Sequence, residues 1–159
     1  MGDRRPEVVL FMDGGCTTPH PSKPGGWAAI LMAVADRLAV PLAPLIDPRT
    51  GRLAVEDLSG RARGTTSNRM EVEGVIHGLR RIRRAGTTIL VVADSEYVVE
   101  TMQGEKRRVK NLDLWAELDA VAAGHDVRWE HTNGHGAGVI LLGFWVSGTL
   151  DEVFSAVVI

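Results

Sequence analysis

Glu71-Val72-Glu73-Gly74-Val75-Ile76-His77-Gly78-Leu79-Arg80-Arg81-Ile82-Arg83-Arg84, followed after Gly86 by Thr88-Ile89-Leu90-Val91-Val92-Ala93-Asp94, decides the fold. In the first stretch Val72, Val75, Ile76, Leu79 and Ile82 recur at three-and-four spacing, the period of an amphipathic helix. Ser67 or Asn68 offers a capping oxygen ahead of it. Gly86 is expected to end it, after Arg83 and Arg84, whose charges suit the negative end of a helix dipole. The second stretch is a short unbroken apolar run, the pattern of a strand buried on both faces.

Towards the N-terminus, Val8 to Met12 is a similar run that stops at Asp13. Gly14 to Gly26, rich in small and turn-forming residues, reads as a loop. Trp27 to Ala33 is a second apolar run, Arg37 to Arg52 an irregular excursion with three prolines, and Leu53 to Arg63 a third strand. With no helix between these strands, antiparallel pairing is expected. Across the helix, strand–helix–strand succession implies parallel pairing by a right-handed crossover. Towards the C-terminus, Ser95 can cap a helix running to about Met102. Asn111 or Asp113 begins another, with Leu114, Trp115, Leu118 and Val121 on one face. Val127, Trp129 and His131 alternate with Arg128, Glu130 and Thr132 as a last strand. The predicted order is β-β-β-α-β-α-α-β: an α/β fold with a mixed sheet covered by helices, in one domain over 1–159.

The 159 residues carry a formal net charge of −2, with 45% apolar and 24% charged residues, an ordinary balance for a globular protein. That balance argues against indiscriminate tight binding to nucleic acid but leaves room for local basic surface. Two clusters qualify: Arg80, Arg81, Arg83 and Arg84, and Lys106, Arg107, Arg108 and Lys110. Each also reads as a solvated helix face or loop. The single cysteine, Cys16, excludes an internal disulfide and fits a reducing compartment. It lies in a glycine turn and reads as a small structural residue. No signal-peptide pattern or membrane-length apolar stretch is present, so a cytoplasmic location and no membrane partner are expected.

Asp13 and Asp94 share a placement: each ends a buried apolar strand and immediately precedes a break. In parallel α/β sheets functional groups gather outside the carboxyl ends of strands. Glu71 is expected in the first turn of the main helix, which can face the same crevice. Three converging carboxylates need a cation, and oxygen-only ligands suit Mg2+ or Mn2+. Taken singly, each has a structural alternative in turn chemistry or dipole compensation.

The motifs themselves carry a family resemblance. Met12-Asp13-Gly14-Gly15-Cys16 resembles the Thr-Asp-Gly-Ser-Cys strand end of type 1 ribonucleases H. Pro24-Gly25-Gly26-Trp27-Ala28-Ala29-Ile30-Leu31 is similar to the segment opening their second strand. Thr65-Thr66-Ser67-Asn68-Arg69-Met70-Glu71 resembles their Thr-Thr-Asn-Asn-Arg-Met-Glu run, and Asp94-Ser95-Glu96-Tyr97-Val98 their Asp-Ser-Gln-Tyr-Val. Val109-Lys110-Asn111-Leu112-Asp113-Leu114-Trp115 and Gly134-His135 complete six motifs in family order over about residues 7–138.

The resemblance implies a ribonuclease H-like fold: a five-stranded mixed sheet of three antiparallel and two parallel strands, flanked by helices. It implies an endonuclease that hydrolyses the RNA strand of RNA–DNA hybrids with two Mg2+ ions, Mn2+ substituting, leaving 5′-phosphate and 3′-hydroxyl ends. Asp13, Glu71 and Asp94 become metal-binding catalytic carboxylates, and His135 a loop histidine that moves protons or product. Gly14, Cys16, Thr66, Ser67, Asn68 and Arg69 fall at hybrid-contacting positions. A monomer is expected.

The chain departs from the pattern in several places, among them the loop from Thr17 to Lys23, about two residues longer than the usual form and without its Asn. Gly15 and Ser67 replace polar residues of the family motif. The basic protrusion of many bacterial members is reduced to Lys106, Arg107, Arg108 and Lys110. After Gly138 an apolar run, Val139 to Val146, stands where a polar segment is normal. Asp151, with Glu152 as substitute, is therefore the candidate fourth metal-binding carboxylate, several residues late. The alternative function is a hybrid-binding protein whose catalysis is weakened by that displacement. An integrase-like or exonuclease relative is disfavoured by the Asn-Arg-Met-Glu run.

Overall fold

The computed structural model describes residues 5–16, 24–34 and 45–132. Its elements run β1 (Val8–Cys16), β2 (Pro24–Ala33), β3 (Val55–Arg63), α1 (Ser67–Arg81), β4 (Thr88–Ala93), α2 (Glu96–Met102), α3 (Leu112–Ala122) and β5 (Asp126–His131). The predicted order and the mixed five-stranded sheet are both present. The spatial order is β3-β2-β1-β4-β5, with β1–β2 and β2–β3 antiparallel and β1–β4 and β4–β5 parallel.

Helices cover one face of the sheet. Val72, Val75, Ile76 and Leu79 of α1, Val98 and Val99 of α2, and Leu114, Trp115 and Leu118 of α3 pack with Leu10, Met12, Ala29 and Val91. Close approach of α1 depends on missing side chains. A Cβ at Gly78 would lie 2.6 Å from Leu10 Cδ1, and one at Gly74 would lie 3.1 Å from Met12 Cε. The other face buries Val9, Phe11, Ala28, Ile30, Met32 and Val92 as a second cluster built from strand residues.

Several boundaries differ from the sequence expectation. β1 does not stop at Asp13. It continues to Cys16, because β2 begins at Pro24 and pairs Gly14 with Trp27 and Cys16 with Gly25. What ends near Asp13 is the parallel pairing with β4, whose last pair is Met12 and Ala93. The α1 cap is Thr66, one residue before the predicted pair: its hydroxyl accepts from the Arg69 amide at 3.2 Å. Glu71 is consequently the fifth helical residue and lies outside the first turn, which holds no acidic group. Dipole compensation is thus no explanation for it. The helix ends at Arg81 rather than near Gly86. Gly86 takes φ +73° in the turn into β4 and donates to the Gly124 carbonyl at 2.7 Å.

The arginine cluster at the end of α1 holds elements together. Arg80 pairs with Glu117 of α3, Arg81 with Glu56 of β3 at 2.6 Å, and Arg84 with Glu7 at 2.5 Å. These partly exposed pairs contribute modestly, of order 0–1 kcal/mol each. In the second cluster Lys106 pairs with Glu100, and Arg108 with Asp119 while lying 5.4 Å from the Trp115 ring centre.

Candidate active site

The parallel register of β1 and β4 ends one residue before Asp13 on one strand and one residue before Asp94 on the other. The two aspartates therefore stand side by side just past the last β1–β4 pair, Asp13 still paired with Ala28 of β2 and Asp94 beyond the end of β4. α1 approaches the same point. An added Cβ at Gly14 would stand 2.7 Å from both the Glu71 nitrogen and the Met70 carbonyl carbon. A glycine after Asp13 is what lets the β1 backbone lie against the second turn of α1. The start of that helix is tied down by the Cys16 amide, which donates to Ser67 Oγ at 3.1 Å.

Burial and neighbouring charge both act on Glu71. Burial, followed by the charges of Asp94 and Asp13, raises the Glu71 carboxyl to about 7, while a hydrogen bond from Ser95 opposes the shift. Ser95 Oγ donates to Glu71 Oε2 at 2.5 Å and accepts from the Val98 amide at 3.2 Å. It is itself buried. The sequence identified Ser95 as the cap of α2 but not as a partner of Glu71; the signal was its adjacency to Asp94.

Glu71, Asp94, Ser95, Asn68, His131 and Thr132 line a cleft of about 470 Å3. Asp13 lines a second cleft of about 520 Å3 with Gly14, Gly15, Cys16 and Arg61. A larger concavity, about 660 Å3, lies at the other end of the sheet around Val8, Ala33 and Val55, away from the carboxylates. Among the described residues no three His, Cys, Asp or Glu side chains are gathered closely enough to hold a metal ion together. Glu71 feels the charges of both Asp94 and Asp13. Their donor chemistry, hard oxygen in partial burial with surplus negative charge, fits a divalent ion of the Mg2+ type.

The remaining candidates divide. Thr66, Ser67 and Asn68 are exposed at the start of α1, beside the crevice. Cys16 Sγ lies 3.8 Å from the Pro24 and Thr65 carbonyls. Arg69 spans to the start of α3: it holds Asp113 through two nitrogens at 3.2 and 2.9 Å, and Asn111 Oδ1 at 3.1 Å. Asn111 in turn donates to the Tyr97 hydroxyl at 3.0 Å. His135, Asp151, Glu152 and the apolar run 139–146 lie outside the described residues.

Comparison with solved structures defines the class first. The fold is similar to LC9-RNase H1, a type 1 RNase H with the type 2 active-site motif: TM-score 0.62, 24% identity, 85% of this chain and 67% of that one. It is also similar to RNase H1 from Halobacterium salinarum: TM-score 0.56, 15% identity, 93% and 98% covered. The fold is therefore that of the ribonuclease H-like α/β proteins.

The chain belongs to the ribonuclease H family, a family of metal-dependent hydrolases, whose RNase H model matches residues 5–141. Relatives named ribonuclease H include those of Dinoroseobacter shibae, 36% identical over 145 residues with 82% of this chain and 81% of that one covered, and Ruegeria sp., 34% over 143 residues with 82% and 81%. Among the described residues no helix is long and apolar enough to cross a membrane.

Proposed function

We propose that the chain, as a single monomeric domain, hydrolyses the RNA strand of RNA–DNA hybrids endonucleolytically, leaving 5′-phosphate and 3′-hydroxyl ends. The observation that carries this reading is the β1–β4 register, which sets Asp13 and Asp94 side by side against the α1 turn bearing Glu71.

Asp13, Glu71 and Asp94 would hold two Mg2+ ions, with Asp151 as the fourth carboxylate. When bound, such ions supply charge neutralisation for an anionic phosphodiester and a lowered pKa for the attacking water. The protein's own groups do the rest. Ser95 keeps the Glu71 carboxylate turned inward. The Gly14 backbone, beside Asp13, and the Asn68 side chain, beside Glu71 and Asp94, would read a 2′-hydroxyl, the group that separates RNA from DNA. Thr66, Ser67 and Cys16 offer small polar contacts for the sugar-phosphate backbone. Arg69 acts through Asp113 and Asn111, fixing the α3 start beside the α1 cap. His135 carries protons near neutral pH. A solved relative by fold, LC11-RNase H1, was crystallised with an RNA/DNA hybrid.

The test is incubation with labelled RNA–DNA hybrid, single-stranded RNA, duplex RNA and duplex DNA, each with Mg2+ or Mn2+, for the wild type and Asp13→Asn. Cleavage of hybrid RNA alone, lost in the variant, supports the proposal. Hybrid binding without cleavage in either metal supports a binding protein instead.

A further inference from the structure

β4 passes directly from sheet into the cap of α2, and Asp94 is the residue between them. The β4–β5 ladder is in register up to Ala93 and His131. One more backbone bond follows, from the Thr132 amide to the Ala93 carbonyl at 2.9 Å. The next carbonyl, that of Asp94, lies beyond the strand. His131 Nε2 sits 3.1 Å from it. His131, the last residue of β5, and Thr132 just after it thus hold consecutive carbonyls on either side of the Asp94 α-carbon, one by side chain and one by backbone.

We propose that His131 is a positioning residue for the hydrolysis: its imidazole clamps the Asp94 peptide and so sets the direction in which the Asp94 carboxylate faces the crevice. This rests on the crevice being the catalytic site. A carbonyl partner requires a proton on Nε2, which the Nε2-H neutral ring and the imidazolium both carry. The clamp therefore needs no particular charge on the ring. A ligand carboxylate is useful only when held to within about half an ångström of its working geometry. At Asp94 the strand that would normally supply such rigidity has just ended. His131 also lines the cleft that contains Glu71 and Asp94. In the sequence it is only one member of an alternating strand.

Three variants of the full chain separate this role from others. His131→Phe keeps a planar ring and removes the donor. His131→Gln places an amide nitrogen at the distance of Nε2, while His131→Asn places one too short to reach. Mn2+ binding is measured by calorimetry without nucleic acid, hybrid cleavage by steady-state kinetics, and melting in EDTA. The Phe and Asn variants should bind Mn2+ about tenfold more weakly and lose about tenfold in kcat at near-constant KM, with Gln within about threefold of wild type. Melting should shift by no more than about 5 °C, the effect of one lost hydrogen bond.

Wild-type Mn2+ affinity and kcat in the Phe and Asn variants would overturn the proposal. So would a Gln variant as impaired as Phe, since that outcome assigns the imidazole a role of its own. If Phe fails to fold, the Asn–Gln comparison decides. If the wild type cuts no hybrid, the function proposed above fails, whereas the Mn2+ comparison still decides the place of His131.

Discussion

The Ser95 hydroxyl and the Glu71 carboxylate share a 2.5 Å hydrogen bond, and the same hydroxyl caps α2 by accepting from the Val98 amide. One side chain therefore links a helix end to a crevice carboxylate. Ser95→Ala should show both losses. Helix capping costs about 0.5–2 kcal/mol of stability, and the freed Glu71 carboxylate should cost about tenfold in kcat. Ser95→Thr, which keeps the hydroxyl, should retain most of each. Denaturant unfolding and hybrid cleavage measure the two effects separately.

The raised Glu71 carboxyl gives the metal-free protein a pH-dependent stability. Its value moves from 4.5 to about 7 on folding, chiefly through burial. The folded state then binds this proton more tightly than the unfolded one. Its stabilising effect is complete below the unfolded value and disappears as pH rises through about 7. The shift corresponds to a ceiling of ~3 kcal/mol, reduced to ~1–2 kcal/mol because Glu71 is only half-buried and solvent screens it. Unfolding in EDTA between pH 5 and 8 should show a decline of that size, absent in Glu71→Gln, with Mg2+ restoring the wild type at pH 8. Identical pH profiles for wild type and Glu71→Gln would remove the burial argument.

Gly14 separates β1 from α1. Because the neighbours at 2.7 Å are backbone atoms, Gly14→Ala must move the helix or the strand. Such overpacking costs about 1–3 kcal/mol. It should also part Asp13 from Glu71, so activity should fall by more than tenfold, a loss that lowering the temperature to restore folding does not recover. Gly15→Ala is the control, since no atom lies within 4 Å of its added Cβ.

Each carboxylate of the crevice repels the others. Asp13→Asn and Asp94→Asn should each reduce cleavage by at least about a hundredfold while leaving stability in EDTA unchanged or slightly higher. Asp151→Asn and Glu152→Gln, assayed beside them, identify the fourth ligand. The one that matters should fall by a comparable factor, and equal full activity in both would show that neither serves.

Hybrid binding should be weak and only modestly dependent on salt. Net charge is −2, and Arg80, Arg81, Arg84, Lys106 and Arg108 are engaged with carboxylates of the chain. Affinity then rests on few phosphate contacts, and Kd should rise by about tenfold between 50 and 200 mM salt. Lys110→Ala should flatten the slope by about one unit. A tight, salt-insensitive complex would contradict this.

Period and order were enough to give the α/β class, the mixed sheet and the succession of elements. Helical spacing from Val72 to Ile82 and unbroken apolar runs at Val8 and Thr88 are local signals that burial dictates directly. Family motifs marked Asp13, Glu71 and Asp94. The sequence could not show that β1 runs on to Cys16, because pairing of Gly14 and Cys16 with β2 is a long-range backbone contact with no side-chain pattern. Nor could it show that Thr66 caps α1 and moves Glu71 into the second turn: three adjacent residues all carry capping side chains, and in the fold the Ser67 hydroxyl is taken up by the Cys16 amide. The partnerships of Ser95 with Glu71 and of His131 with the Asp94 carbonyl belong to tertiary structure alone. They join residues 24 and 37 positions apart, and only the packing of α1 on the sheet, for the first, and the parallel β4–β5 register, for the second, bring those atoms within a hydrogen bond of each other.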